Sequence, residues 1–425
     1  MAMQKLFFVF LVILSCNNIS CYSSSSSLGS LKETFGNFPK YLGRSLKASQ
    51  KTFNVISYGA KGDGTTDDTK AFQTAWTAVC ASTQSALLLI PNNKKFLLKP
   101  ITLSGPCKSP VRVAIQGTIL APSRSAWNLK STTHWILFQY INNLKVSGGG
   151  TINGNGNAWW QNSCKINKSR PCTKAPTAMT FYSCNNLVLG NLNVRDSQQI
   201  HVSIEKCNNV NVASLGINAP SSSPNTDGLH VTSTTNIVIT NCVIKTGDDC
   251  MSIETGTKNL KATKITCGPG HGISIGSLGD GYSRAQVSDI LIDTVKLYGT
   301  TNGARIKTYQ GGSGYAKNIV FQNMVMSNVK NPIIIDQNYC DSSKPCKSQK
   351  SAVEVSGIVF KNIKGTSASA VAINLNCSKT VACSGIQLQN INLVSQNNKS
   401  TRSTCQNAKW SKSGTVIPPP CASTN

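Results

Sequence analysis

The chain has 425 residues, 40% hydrophobic and 14% charged, with 42 Lys and Arg against 16 Asp and Glu, a formal net charge of +26. That hydrophobic share over that length can bury a large core, which excludes a disordered chain. The charge favours a polyanionic partner, but the lysines are scattered and no nucleic-acid module is present, which argues against nucleic acid.

Residues 1–21 read as a secretory signal peptide: Lys5 precedes the apolar run Leu6 to Leu14, too short to span a membrane, and small and polar residues follow. Residues 22–51 are rich in Ser and Lys, lack periodicity and read as a leader or propeptide. The folded domain is expected over 52–425, secreted and without a membrane span. Near its start, Asp63-Gly-Thr-Thr-Asp67-Asp68 lacks the spacing and terminal Glu of a calcium loop. It reads instead as a turn feeding an N-capped helix. Ala71, Phe72, Ala75, Trp76 and Val79 would form that helix's apolar face and close one end of the fold.

From Asn143 onward, short runs of alternating apolar and polar residues recur at roughly two dozen residues, with insertions. They begin at Asn143, Asn186, Asn209, Asn236, Asn259, Asp289, Asn318, Gly357 and Gly385, and second runs such as those from Asn191 and Asn241 follow. No long helical pattern separates them, so the fold class is all-β, either an antiparallel sandwich or a solenoid. A recurring Asn at the head of each run fits stacked coils, and so does Cys242, which falls where other coils carry Leu, Ile, Val or Met. Trp159 and Trp160 suit core packing and sugar stacking equally.

Seventeen cysteines suit an oxidising compartment. The close pairs Cys164/Cys172, Cys340/Cys346, Cys377/Cys383 and Cys405/Cys421 could each close a local loop, and Cys250 with Cys267 could bridge. Cys184, Cys207 and Cys242 read as buried free thiols. No CxxC pair appears, which leaves a zinc site without ligands; no cofactor is expected. Sequons at Asn167, Asn376 and Asn398 would lie on surface loops.

Four polar clusters stand out: Asn225-Thr-Asp-Gly228, Gly247-Asp-Asp-Cys250, Gly270-His-Gly272 and Arg305-Ile-Lys307. Glycosidic hydrolysis needs one protonated and one ionised carboxyl group. Asp227, Asp248 and Asp249 would repel one another if all were charged, so one would keep its proton to higher pH, and His271 could tune it. Arg305 and Lys307 flank Ile306, so in a strand both would face one side, a pair suited to a sugar carboxylate. Strand parity would bury the aspartates, so the clusters are expected on bends ahead of inward-facing runs. His134, His201 and His230 read as structural, the last two near the site.

In this order the four clusters resemble the signature motifs of the polygalacturonases, the pectin-cleaving glycoside hydrolases, and the similarity extends from Phe53–Asp68 through Cys267–Gly279 to Ile335–Cys340, closest to plant members. The resemblance implies a right-handed parallel β-helix and metal-independent, inverting hydrolysis of α-1,4-galacturonan, an acidic polysaccharide of the plant cell wall. Asp248 would be the general acid, with His271 supporting its protonation. Asp227 and Asp249 would position and deprotonate water. Arg305, Lys307, Tyr339 and Asn225 would bind substrate. It further implies a monomer in the apoplast that a wall inhibitor protein could meet. The motifs around Thr301–Thr308 and Asn331–Asp336 favour endo over exo action. A calcium-dependent pectate lyase and an inactive pectin-binding wall protein are the alternatives, though no catalytic aspartate is missing.

Overall fold

In the computed structural model, the described residues are 50–425 except 129–132, 343–345, 397–399 and 422–425. The signal peptide and all but the last two residues of the leader lie outside them, as does the sequon Asn398.

Among the described residues the strands form a 17-stranded sheet and an 11-stranded sheet; from Asn185 onward each coil contributes one strand to each, and successive coils pair in parallel. Parallel strands joined by crossovers wind with one hand, and the molecule is a right-handed parallel β-helix. In the larger sheet, Cys242, Ile265, Val295, Met324, Ile363 and Ile391 stack in register, all at most 1% exposed. Burying each such side chain contributes about 1.5–3 kcal/mol.

The recurring Asn has a backbone cause. Asn143, Asn186, Asn209, Asn236 and Asn259 are all left-handed, with φ of 58°, 56°, 61°, 56° and 57°, and Gly357 and Gly385 take the same bend at 64°. Gly, Asn and Asp enter that region most readily, and Asp289 takes the same bend at 60°. Amides on adjacent coils also bond to one another: Asn186 donates to Asn143 at 2.9 Å, Asn209 to Asn186 at 3.0 Å, and Asn259 to Asn236 at 2.7 Å. Anchor run and second run therefore merge into one bent strand, as in Asn185–Arg195, with Asn191 at the second bend.

The helix Thr69–Ala81 closes one end, burying Phe72, Ala75, Trp76 and Val79, with Ala71 half-buried. Phe72 meets Phe96 edge-on at 5.4 Å, and the Trp76 indole donates to the Ser104 carbonyl at 2.9 Å. The entry to this helix differs from expectation. Asp63–Asp67 is a short strand, and the Asp68 side chain does not cap the helix. It accepts from the Lys61 and Gly62 amides at 2.6 and 3.1 Å, leaving Asp67 to bond the Thr69 amide at 3.0 Å. A further disulfide, Cys80–Cys107, ties the helix end to the coils.

The five cysteine pairs read from spacing are disulfides, and Cys184, Cys207 and Cys242 are free and buried. Asn167 is exposed on the Cys164–Cys172 loop, but Asn376 ends a strand rather than lying on a surface loop. Its amide donates to Asp336 at 3.1 Å. No helix among the described residues is long and apolar enough to cross a membrane.

Candidate active site

The smaller sheet builds the site by register. Two inward columns are apolar: Val202, Leu229, Met251, Ile273 and Ala304, and Ile204, Val231, Ile253, Ile275 and Ile306, all fully buried. Between them runs an outward column, Ser203, His230, Ser252, Ser274 and Arg305. Because strand side chains alternate faces, the core fixes this polar row on one surface.

Asp227, Asp248, Asp249 and His271 lie on irregular segments just ahead of the strands that start at Leu229, Met251 and Ile273, as parity required. Gly247 leaves no room for a Cβ, which would stand 2.0 Å from the Ser223 carbonyl oxygen. The Cys250–Cys267 disulfide fixes the aspartate turn to the strand Lys258–Cys267, which follows it and leads to His271. A cleft of about 590 Å³ gathers Asn225, Asp227, Asp248, Asp249, His271, Arg305, Lys307 and Tyr339. Every site residue read from sequence is thus brought together.

Asp249 is 1% exposed, and its charge is met from three sides. Oδ1 accepts from Arg305 Nη2 at 2.6 Å and Ser274 Oγ at 2.8 Å, while Oδ2 accepts from Lys307 Nζ at 2.8 Å. Arg305 Nε also donates to Ser274 Oγ at 2.8 Å. The two cations face one side, as expected, but they are engaged by Asp249 rather than standing free for a sugar. A buried carboxylate demands such partners.

Asp248 is more open. Its Oδ1 lies 3.0 Å from His271 Nδ1 and accepts from the Asp249 amide at 2.8 Å, and Oδ2 accepts from Asn225 Nδ2 at 3.4 Å. Burial raises its pKa, but the hydrogen bond and charge of His271, with Lys307 and the Asp249 amide, together hold it below the usual carboxylate value. Burial, reinforced by Asp248 and Asp249, pushes Asp227 well above that value. The acid that keeps its proton to higher pH in the resting site is therefore Asp227.

One ligand atom each from Asp248, Asp249 and His271 lies within 4.8 Å of the others. Both oxygens of Asp249 are nevertheless occupied, and two cations face it, so the cluster suits a water or hydroxyl better than a divalent ion.

Tyr339 packs edge-on against Tyr309 at 5.2 Å and beneath Lys307 Nζ at 5.3 Å. Burial, then the Asp341 charge, raise its pKa to about 12, so it stays a neutral hydrogen-bonding phenol. Several site residues had escaped sequence reading. Ser252 bonds His230 Nδ1 at 2.9 Å beside Asp227, and Asn302 donates to the His271 carbonyl at 3.2 Å. Glu254 lines the cleft, its pKa raised by burial to about 7. Ser252 and Ser274 each follow a motif residue by three positions, a signal that becomes readable only once the strand start is known. His201 is fully buried, which lowers its pKa to about 4, and bonds the Asp227 carbonyl; His134, on an earlier coil, bonds Thr180. Trp159 and Trp160 are buried, at 5% and 9% exposure.

The family model "Glycosyl hydrolases family 28" matches residues 80–415. A polygalacturonase of Persea americana is 57% identical over 355 residues, covering 83% of this chain and 76% of its own. Polygalacturonase-2 of Solanum lycopersicum is 47% identical, covering 98% and 96%. Among solved structures, a polygalacturonase from Erwinia carotovora superposes with a TM-score of 0.69 at 24% identity, covering 87% of this chain and 99% of that one. With most of its length matched by the family model and by close plant relatives, this chain belongs to glycosyl hydrolase family 28.

Proposed function

We propose that the protein is a secreted, endo-acting polygalacturonase that hydrolyses α-1,4 linkages of pectic galacturonan with inversion. The observation carrying this reading is the cation pair Arg305 and Lys307, pinned by Asp249 beside the Asp248–His271 pair in one cleft. An ammonium has three N–H donors and a guanidinium five, so both cations retain donors for a galacturonate carboxylate while still bonded to Asp249. The three disulfides Cys164–Cys172, Cys250–Cys267 and Cys340–Cys346, in and around the cleft, fit an extracellular wall enzyme.

In this reading the Asp248–His271 pair carries one proton, which Asp248 delivers to the leaving glycosidic oxygen as the C1–O bond breaks. A water held by Asp227 and Asp249 adds to C1 from the opposite face, passing its proton to an ionised carboxylate. Asp227 must therefore have lost its resting proton before it can serve.

Endo action needs a cleft open along its length. Lys165 crosses to Asp341 at 2.7 Å, but both side chains are nearly half exposed, and an exposed ion pair contributes at most about 1 kcal/mol. A chain can displace such a strap. Exo action is the second reading, favoured only if that strap stays closed.

The test is product analysis of de-esterified polygalacturonate in EDTA, following viscosity, reducing ends and unsaturated products. Saturated oligomers with rapid thinning support endo hydrolysis, and monomer with slow thinning supports exo. Unsaturated products point to a lyase, and absence of cleavage points to a binding protein.

A further inference from the structure

The larger sheet has an outer face that takes no part in the cleft. Past the second bend of each coil its strands run on through residues 242–245, 265–267, 295–298, 324–329, 363–367 and 391–395. Cys242 and Ile244, like Val295 and Leu297, point into the core at no more than 1% exposure, so Val243 and Lys245, and Lys296 and Tyr298, point outward. Register stacks Val243, Thr266, Lys296, Val325 and Lys364 in one outward column. Lys245 and Tyr298 follow Ile244 and Leu297, which stack through Cys267, and so share the next outward position. Lys264 stands exposed at the bend itself, with φ of 57°.

The charge on this face is of one sign. Lys245, Lys264, Lys296 and Lys364 are exposed, and none of them forms an ion pair among the described residues. No Asp or Glu occurs in any of these segments. The acids nearest in sequence are engaged elsewhere: Asp248 lies beyond the strand end in the cleft, and Asp293 lies ahead of the bend, bonded to Thr294 and Asn323. Soluble surfaces ordinarily intersperse both signs, so an unneutralised row of cations points to an anionic partner.

The same face gathers apolar surface. Of the ten large hydrophobic residues that stand exposed among the described residues, five lie on it: Val243, Tyr298, Val325, Val394 and Ile417. Clustered exposed apolar residues mark interaction surfaces. Tyr298, 46% exposed, offers a flat ring with a polar tip, a surface that packs on a sugar.

Adjacent coils lie about 4.8 Å apart, so Lys296 and Lys364, with Val325 between them in one column, are rooted about 10 Å apart. Cations at regular steps along a flat, straight face match a stiff linear polymer with a carboxylate on every ring. None of these residues lines the cleft. The strand ending at Lys245 nevertheless runs into the Asp248 turn, and the one ending at Cys267 runs on to His271, so the face lies around one edge of the coil from the acid pair.

We propose that this face is a second, non-catalytic docking surface for acidic polysaccharide, with Lys245, Lys264, Lys296 and Lys364 meeting uronate carboxylates and Tyr298 packing on a ring. The choice of a uronate polymer rests on the galacturonan reading above. A stretch of polymer held there keeps the enzyme on its matrix between cuts and raises the concentration of chain at the cleft.

The experiment measures retention of the full-length protein carrying D248N, which prevents cleavage, on beads of de-esterified polygalacturonate, with saturating trigalacturonate present to fill the cleft. Into this background go K245Q/K296Q/K364Q and a control that removes the same charge elsewhere, K94Q/K108Q/K379Q; all six lysines are exposed. The face variant should lose about ten-fold in affinity, equivalent to 1.4 kcal/mol, and the control less than about two-fold. The face variant should also show a shallower fall of log affinity with log salt, because it releases fewer counterions. With Asp248 in place it should keep wild-type kcat/KM on short oligogalacturonates, which cannot span both surfaces. Y298S should weaken retention on polygalacturonate and leave retention on polyglutamate unchanged. Equal loss in the two triple variants would show diffuse charge alone and overturn the surface, as would complete release by trigalacturonate. A Tyr298 variant indifferent to the bead polymer overturns the assignment to a polysaccharide. Failure of the wild type to cleave polygalacturonate tells against the hydrolase reading by itself, because retention is measured with the catalytic acid removed.

Discussion

Asp249 and Arg305, 56 residues apart in sequence, meet at 2.6 Å beneath the floor of the cleft, with Lys307 on the other carboxylate oxygen at 2.8 Å. The aspartate is thus both a candidate for water activation and the anchor of the carboxylate-binding cations. Asp249→Asn should lower kcat by orders of magnitude yet leave oligogalacturonate affinity intact or improved, because it frees charge on both cations. Arg305→Ala should instead raise KM. It also removes a charged bond from a buried carboxylate, a cost of about 1.5–3 kcal/mol, visible as a lower Tm. Weakened binding in the Asn variant would contradict this division of roles.

For Asp248, replacement by Asn removes the proton donor and little volume. Turnover should fall by orders of magnitude with substrate binding largely retained. Asn225 and His271 still hold the side chain in place. Calorimetric titration with oligogalacturonate, paired with reducing-end assays, separates the two effects. Near-normal turnover would remove Asp248 from the acid role.

Rate should follow a bell-shaped pH profile, for reasons specific to these two acids. Burial beside Asp248 and Asp249 keeps a proton on Asp227 above the usual carboxylate range, so activity rises as pH increases through its raised pKa. It falls again when the Asp248–His271 pair gives up its proton. His271→Ala removes the partner that lowers the pKa of Asp248 and should therefore alter the alkaline limb along with kcat, leaving the acid limb in place. A mutant whose acid limb alone moved would contradict the assignment.

The repeat was legible because coil geometry is written in local chemistry: Asn at left-handed bends such as Asn236, β-period apolar runs, and short-range cysteine pairs. The four motifs were legible because scarce acids cluster at coil spacing. What stayed hidden depends on register between coils. Ser274 looks like any strand serine until the sheet sets it beside Arg305. Glu254 follows the inward Ile253 with nothing local to mark it, and only the fold puts Lys307 and Asp249 nearby. The expected side-chain cap of the helix is displaced because Asp68 is held by the Lys61 and Gly62 amides, which come from a preceding turn with no sequence signature. Nor could spacing show Asp249 occupying both cations, which is a fact about side-chain reach across three coils.

Glu254 gives a stability signature. Burial lifts its pKa from 4.5 to about 7. For an acid with a raised folded-state pKa, the folded form binds the extra proton, so its contribution is fully present below the unfolded value and is lost as pH rises through the folded one. Tm should accordingly decline between pH 4.5 and 7. Glu254→Gln, which stays neutral, should flatten that part of the decline, whereas the shift at Asp227 acts in the same direction and remains. Parallel Tm curves for wild type and variant would show that Glu254 is ionised throughout.

The Cys250–Cys267 bridge closes a 17-residue separation between the aspartate turn and the strand before His271. A loop near that size is worth about 3 kcal/mol through its effect on the unfolded chain. Replacing both cysteines by Ser should therefore lower stability by about that amount. It should also cost activity at temperatures where the chain is still folded, since Asp248 and His271 are held on opposite sides of the bridge and their 3.0 Å contact depends on both turns keeping place. Denaturant unfolding gives the first quantity, and kcat measured well below the transition gives the second. A variant that is less stable but fully active in the cold would mean that the stacked coils alone set the geometry of the acid pair.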